Sequence, residues 1–158
     1  MSFREKARTS PSGLAIAWLA MALMSFWLSI TINSFLGLQI VEALPLLVLG
    51  LVFVALGSVI RYLALKPLLG SNKSIQWHHV PGTLVEDGVF RYSRNPAYLG
   101  VLLMFLGAFL LEVNLPMLVI LVVIFTLLNR QASREEETLT KQFGESYRSY
   151  RKRTRRSL

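Results

Sequence analysis

Polar and apolar residues in this chain segregate into long blocks instead of alternating. No charged residue occurs from Thr9 to Val41, from Ala43 to Ile60, from Asn95 to Leu111, or from Val113 to Asn129. A helix that crosses a bilayer needs roughly 20 apolar residues, with a range of about 17–25. The first two blocks meet that length and predict spans over residues 13–36 and 44–65. Arg61 falls near the end of the second, where a long side chain can snorkel. The other two are shorter, since about 14 apolar residues rise only about 21 Å as helix against a hydrocarbon layer of about 30 Å. Between them lies Leu111-Glu112-Val113-Asn114-Leu115-Pro116, where Asn114 suits an N-cap and Pro116 a first helical turn. This predicts a tight helical hairpin over residues 96–111 and 115–129, with the polar start of its first arm sunk toward the membrane.

After Asn129 the chain turns polar, with Arg130, Arg134 and the run Glu135-Glu136-Glu137. Leu139, Phe143, Tyr147 and Tyr150 then recur at i, i+4, i+8 and i+11, the spacing of one helical face. Arg148, Arg151, Lys152, Arg153, Arg155 and Arg156 lie on and beside it. That pattern predicts an amphipathic helix at the headgroup layer within the tail 130–158. Gly144 weakens the helix or breaks it. The expected fold is an all-α integral membrane protein, a single membrane domain over 1–158. It has four transmembrane helices, the last two a short hairpin, and a C-terminal amphipathic cytosolic helix.

Charge fixes the expected orientation. Four spans put the N-terminus, the loop 66–95 and the tail on one side, with all 17 Lys and Arg residues there or at its boundary. The opposite loops, around Gln39–Glu42 and Glu112–Asn114, carry only Glu, so both termini are expected to be cytosolic. Arg4, Lys6 and Arg8 precede the first block as in a signal peptide, but the apolar run is too long for one and reads as an uncleaved anchor. The formal charge is +8 in a chain that is 53% hydrophobic and 16% charged. An excess of cations in such a chain suits anionic lipid near the tail and not nucleic acid. There is no cysteine, which excludes disulfides, thiolate nucleophiles and cysteine-held metals. His78 and His79 are adjacent and lack the i, i+4 spacing that converges on one ion, so no metal is expected. Compact length favours a prokaryotic inner membrane.

Three polar clusters lie on the cytosolic side: Gln76 to Thr83, Asp87 to Tyr98, and Arg130 to Glu137. Ionisable groups at a membrane boundary are costly to bury unless paired, which makes them functional candidates. Each has a plainer reading. Asn95-Pro96 is a good helix start, and an open helix N-terminus can also bind an anion. Arg91 and Arg94 suit lipid phosphates, and the glutamate run beside Arg130 and Arg134 suits a solvated, salt-bridged helix. Trp77, Tyr92 and Tyr98 suit an interfacial aromatic belt.

The order of these clusters is more specific than any one of them. The segment Gly82-Thr83-Leu84-Val85-Glu86-Asp87-Gly88-Val89-Phe90-Arg91-Tyr92-Ser93-Arg94-Asn95-Pro96-Ala97-Tyr98-Leu99-Gly100 resembles the cofactor segment of the isoprenylcysteine carboxyl methyltransferase family, which includes phospholipid methyltransferase-like membrane proteins. A hydrophobic hairpin follows, then Glu135-Glu136-Glu137-Thr138-Leu139 and Phe143-Gly144-Glu145-Ser146-Tyr147-Arg148-Ser149-Tyr150, as in the family. The resemblance covers about Trp77 to Tyr150.

What the resemblance implies is a membrane enzyme that binds S-adenosylmethionine at its cytosolic face and methylates a lipid-like or isoprenyl-type acceptor on a carboxyl or an amine. Cofactor contacts would fall on Gly82, Thr83, Leu84, Val85, Phe90, Asn95, Pro96, Ala97, Tyr98 and Glu135. Arg94, Arg130, Arg134 and Glu136 would serve the acceptor side, Arg130 and Arg134 competing for the arginine that precedes the glutamates. Glu136 or His79 would be the base for an amine. Asn95 stands where many members have His, Phe90 replaces a frequent Tyr, and the tail lacks the Arg-x-x-Pro ending of several members. Two other classes stay open: an NADPH-dependent membrane reductase, and a non-catalytic scaffold whose basic tail holds anionic lipid.

Overall fold

A computed structural model of the protein describes residues 11–37, 43–69 and 84–156, and among them every regular element is helical. The order is α1 (Pro11–Leu36), α2 (Leu44–Leu69), a 3-10 turn (Gly88–Arg91), α3 (Pro96–Leu111), α4 (Leu115–Phe143) and α5 (Glu145–Arg153). Prolines at the first helical positions of α1 and α3 begin those helices without losing a hydrogen bond. Gly37, at φ 62°, ends α1 in the left-handed conformation that favours glycine. Two helices, α2 and α4, are long and apolar enough to cross a membrane, and α3 is a shorter apolar helix. In the most apolar stretches of α2 and α4 only 17% of residues are buried within the protein. A soluble core helix would bury most of that surface, so these faces are built for lipid.

The most extensive packing joins α2 to α3, and glycine makes it. Gly50 and Gly57 on α2 face Gly107 and Gly100 on α3, seven residues apart on each helix and in antiparallel order. A Cβ placed on Gly57 would lie 2.5 Å from the Gly100 carbonyl oxygen, and one on Gly107 would lie 2.6 Å from that of Gly50. The backbones therefore touch along a seam that no larger side chain fits. Close approach of this kind drives helix association where lipid removes any hydrophobic advantage to burial. Val101, Phe105, Ala108, Met117 and Leu128 fill the space between α3 and α4.

The hairpin forms as expected, with two details. Asn114 caps α4 by accepting from the Met117 amide at 2.8 Å, and the same oxygen accepts from Ser29 Oγ on α1 at 2.8 Å. Helix α4 does not stop near residue 129. It runs unbroken to Phe143 because neither Gly nor Pro intervenes between Pro116 and Gly144. Its last 14 residues, Arg130 to Phe143, extend about 20 Å beyond the apolar part. Gly144, at φ 52° and ψ −120°, is the break, and α5 is a separate short helix. The single amphipathic tail helix is thus replaced by two elements, and the apolar positions Leu139 and Tyr147 lie on different helices.

Candidate functional site

The glycine seam brings the end of α2 and the start of α3 together, and the polar extension of α4 stands beside both. Three stretches far apart in sequence meet there. Tyr98 donates its phenol to Glu135, and Gln131 Nε2 donates to the same carboxylate oxygen at 3.0 Å. Asn95 Nδ2 donates to Glu136 Oε1 at 3.2 Å, and Arg94 Nη1 lies 3.5 Å from Glu136 Oε2. Asn95 opens α3 but makes no side-chain cap; its amide is turned to Glu136 instead. Both partners of the Arg94–Glu136 pair are buried, with side chains 8% and 9% exposed. Such a pair persists only with close geometry and further hydrogen bonds, and Asn95 supplies one of them.

Arg61 differs from the snorkelling expectation. It is buried, and its Nη1 donates to the Ala97 carbonyl at 3.2 Å. The reason lies in the seam: Gly100 brings α3 so close that a Cβ there would lie 2.9 Å from Arg61 Cβ. With no room toward lipid on that face, the side chain turns along the start of α3. An isolated arginine in an apolar span is itself the signal that could have marked it.

The C-terminal segment closes the group. Tyr150 donates its phenol to the Phe90 carbonyl at 2.7 Å, and the Arg94 amide donates to the Arg155 carbonyl at 3.0 Å. Tyr147 is fully buried beside Tyr150, their ring centroids 5.9 Å apart. Burial, reinforced by Tyr147 and Glu86, pushes the Tyr150 phenol up to about 12. Burial and then the Glu136 carboxylate raise Tyr147 as well. Both hydroxyls stay protonated at neutral pH; Tyr150 donates to Phe90, and Tyr147 accepts from the Arg94 guanidinium.

Of the residues expected from sequence, Arg94, Asn95, Pro96, Ala97, Tyr98, Glu135 and Glu136 meet in this cluster. Pro96 is wholly buried as packing, and Ala97 takes part through its carbonyl. Phe90 is half-buried and joins through its carbonyl to Tyr150, while Leu84 and Val85 are half-buried in the approach to the 3-10 turn. Gly82, Thr83, His78 and His79 lie outside the described residues. Arg130 and Arg134 are exposed on α4, and no contact to Glu135 or Glu136 joins them to the cluster. Glu137 points outward and pairs with Lys141. Sequence reasoning missed Arg61, Gln131, Tyr147 and Arg156.

A helical bundle with two helices long and apolar enough to cross a membrane and a buried ionic cluster at one end defines a membrane protein with a polar site at the end of its helices. Residues 45–146 match the phospholipid methyltransferase family, more than half of the chain, and the protein belongs to that family. It is similar to the protein-S-isoprenylcysteine O-methyltransferase of Schizosaccharomyces pombe, 35% identical over 71 residues that cover 44% of this chain and 30% of the relative. It is also similar to the protein of that name from Xenopus laevis, 29% identical over 142 residues that cover 84% of this chain and 47% of the relative. The chain spans less than half the length of these curated relatives. No solved structure matches it significantly.

Proposed function

We propose that this protein is an S-adenosylmethionine-dependent methyltransferase that acts at the cytosolic membrane face on a lipid-like or isoprenyl-type acceptor, with four membrane spans and both termini cytosolic. The observation that carries the reading is the union of two separated motifs: Arg94, Asn95 and Tyr98 from the start of α3 hydrogen-bond or pair with Glu135 and Glu136 from the extension of α4. Family membership and the similar methyltransferases support it.

The residues present suit the cofactor's chemistry. Arg94 Nε is buried and has no hydrogen-bond partner among the described residues, a donor suited to an amino-acid carboxylate. The first turn of α3 has no side-chain cap; Pro96 carries no N–H and the Tyr98 and Leu99 amides donate to the Asn95 carbonyl, which leaves the Ala97 N–H to the same carboxylate. Glu135 suits the ammonium, and Leu84, Val85 and Phe90 offer apolar and aromatic surface to an adenine. When bound, S-adenosylmethionine supplies a methyl group on a positively charged sulfur, open to in-line attack. Such a displacement needs alignment more than proton transfer. The chain's part is then to orient: Arg94 and Glu136 fix the polar end, Tyr98 holds Glu135, and buried packing around Pro96 and Val101 keeps water out. A carboxylate acceptor needs no base; an amine would give its proton to Glu136.

Calorimetry with S-adenosylmethionine on the detergent-purified chain tests this directly. Saturable binding that weakens in Tyr98→Ala is expected; absence of binding by folded protein overturns the reading. Mass spectrometry of membrane lipids incubated with methyl-labelled cofactor then identifies the acceptor.

A further inference from the structure

Six cations crowd the C-terminal segment, and the plain expectation is that all of them face anionic lipid. Arg156 does not. Its Nη2 donates to the Asn129 carbonyl at 2.9 Å, to Asn129 Oδ1 at 2.9 Å and to Ser133 Oγ at 2.7 Å, and its Nε lies 3.7 Å from Glu136 Oε1. Residues 129, 133 and 136 are spaced i, i+4 and i+7, so one guanidinium staples two turns of a single α4 face. The staple begins at Asn129, the last uncharged residue before α4 leaves its apolar stretch, and ends on the carboxylate that Arg94 also holds.

The segment bearing Arg156 is itself tied down. Thr154 is buried, the Arg155 carbonyl accepts from the Arg94 amide at 3.0 Å, and Arg153 pairs with Glu86 at 3.0 Å. Arg151, Lys152 and Arg155 remain exposed and free to meet headgroups. Position therefore divides the basic tail into two kinds of arginine, which composition alone cannot do.

We infer that Arg156 is a positioning residue for Glu136, and that the C-terminal strap is a working part of the site. Glu136 Oε1 faces Asn95 and Arg156 while Oε2 faces Arg94. Two arginines on opposite oxygens fix the plane of the carboxylate. Without Arg156, Oε1 is held by the neutral Asn95 amide alone, and the carboxylate is fixed less firmly against Asn95 and Arg94. The geometry stands by itself; a role in ligand binding rests on the methyltransferase reading.

A double-mutant cycle on the full chain separates the two. Wild type, Arg156→Gln, Glu136→Gln and the double variant are titrated with S-adenosylmethionine and melted without it. Arg156→Gln is expected to weaken binding about fivefold, the size of one partly screened ion pair. Arg156→Lys should recover part of the loss, and Arg151→Gln, on the exposed face of the strap, should bind as wild type. In the Glu136→Gln background Arg156→Gln should do nothing further, because its partner is already gone. Additive losses in affinity, or unchanged affinity in Arg156→Gln, overturn the inference. If Arg156→Gln does not fold, the Arg156→Lys cycle decides by the same criterion. If wild type does not bind S-adenosylmethionine, the methyltransferase reading falls, and the cofactor-free melts decide the clamp: coupled shifts uphold it, additive shifts end it.

Discussion

At the hairpin end of the bundle, Ser29, Asn33, Glu112 and Asn114 are buried; at the other end Arg61, Asn95 and Glu136 are buried too, with the Arg94 side chain packed among them. The hairpin cluster serves the backbone. Asn114 spends one oxygen on the first turn of α4 and on Ser29, locking α1 to the turn. The cluster at α3's start joins side chains about forty residues apart and uses full charges, two arginines around one carboxylate. An uncharged cap would have started α3 at lower cost, and Asn95 is available for that purpose. The chain turns Asn95 away from capping and onto Glu136. Each end keeps a buried donor without a hydrogen-bond partner among the described residues, Asn114 Nδ2 at the hairpin and Arg94 Nε at the start of α3, but only the second belongs to a full charge. Strain on local economy of this kind is what a binding site leaves behind.

Removing the shared carboxylate breaks the contrast most severely. Glu136→Gln leaves Arg94 and Arg156 facing each other without a counter-charge, a loss of about 3–5 kcal/mol for a buried pair. It should also weaken S-adenosylmethionine binding, by more than Arg156→Gln does. Asn114→Ala should cost about 1–2 kcal/mol through the lost cap and the stranded Ser29 hydroxyl, while cofactor affinity stays at the wild-type value. Chemical unfolding and calorimetry on both variants decide it: a loss of affinity in Asn114→Ala would mean that the two ends are not independent.

The glycine seam sharpens the comparison because it touches both ends. Gly100→Ala and Gly107→Ala put a methyl against backbone at 2.7 and 2.6 Å, respectively. Each should destabilise by about 1–3 kcal/mol, the usual cost of overpacking. Only Gly100 abuts Arg61, whose guanidinium holds the Ala97 carbonyl beside Tyr98. Cofactor affinity should therefore fall in Gly100→Ala and hold in Gly107→Ala. Equal loss in both would mean that the seam acts on the site through overall stability alone.

How much of this was legible in the sequence follows from what kind of information each feature needs. The hairpin and the Asn114 cap were readable because both are local: a residue type, a spacing, a proline. So was the meeting of Tyr98 with Glu135, through the order of the motifs and not through any spacing rule. The continuation of α4 to Phe143 was readable in principle from the lack of any breaker before Gly144, but the shift from apolar to polar at Arg130 suggested an end where only the solvent changed. Arg61 was misread because periodicity says how deep a residue lies, not which neighbour covers it. The seam was written as paired glycines at sevenfold spacing in two helices, Gly50 with Gly57 and Gly100 with Gly107, a signal that needs both helices at once. Arg156 carried no local mark; among six cations, only the fold distinguishes it.

The smallest effect comes from the glutamate run itself, where three neighbouring carboxylates meet three different fates. Glu135 is half-buried against Tyr98, Glu136 is buried between arginines, and Glu137 is exposed and paired with Lys141 four residues on. The Lys141 hydrogen bond and charge hold the Glu137 carboxyl below its ordinary value, yet both side chains of that pair are mostly exposed, at 75% and 66%. Water and salt screen such pairs, and fixing two long side chains offsets most of the attraction. Glu137→Gln should therefore leave both the unfolding transition and cofactor affinity at wild-type values, although it removes the same charge, one residue along the same helix, as Glu136→Gln. A loss of affinity in Glu137→Gln comparable to that in Glu136→Gln would mean that net negative charge on α4, and not the buried geometry around one carboxylate, is what the site requires.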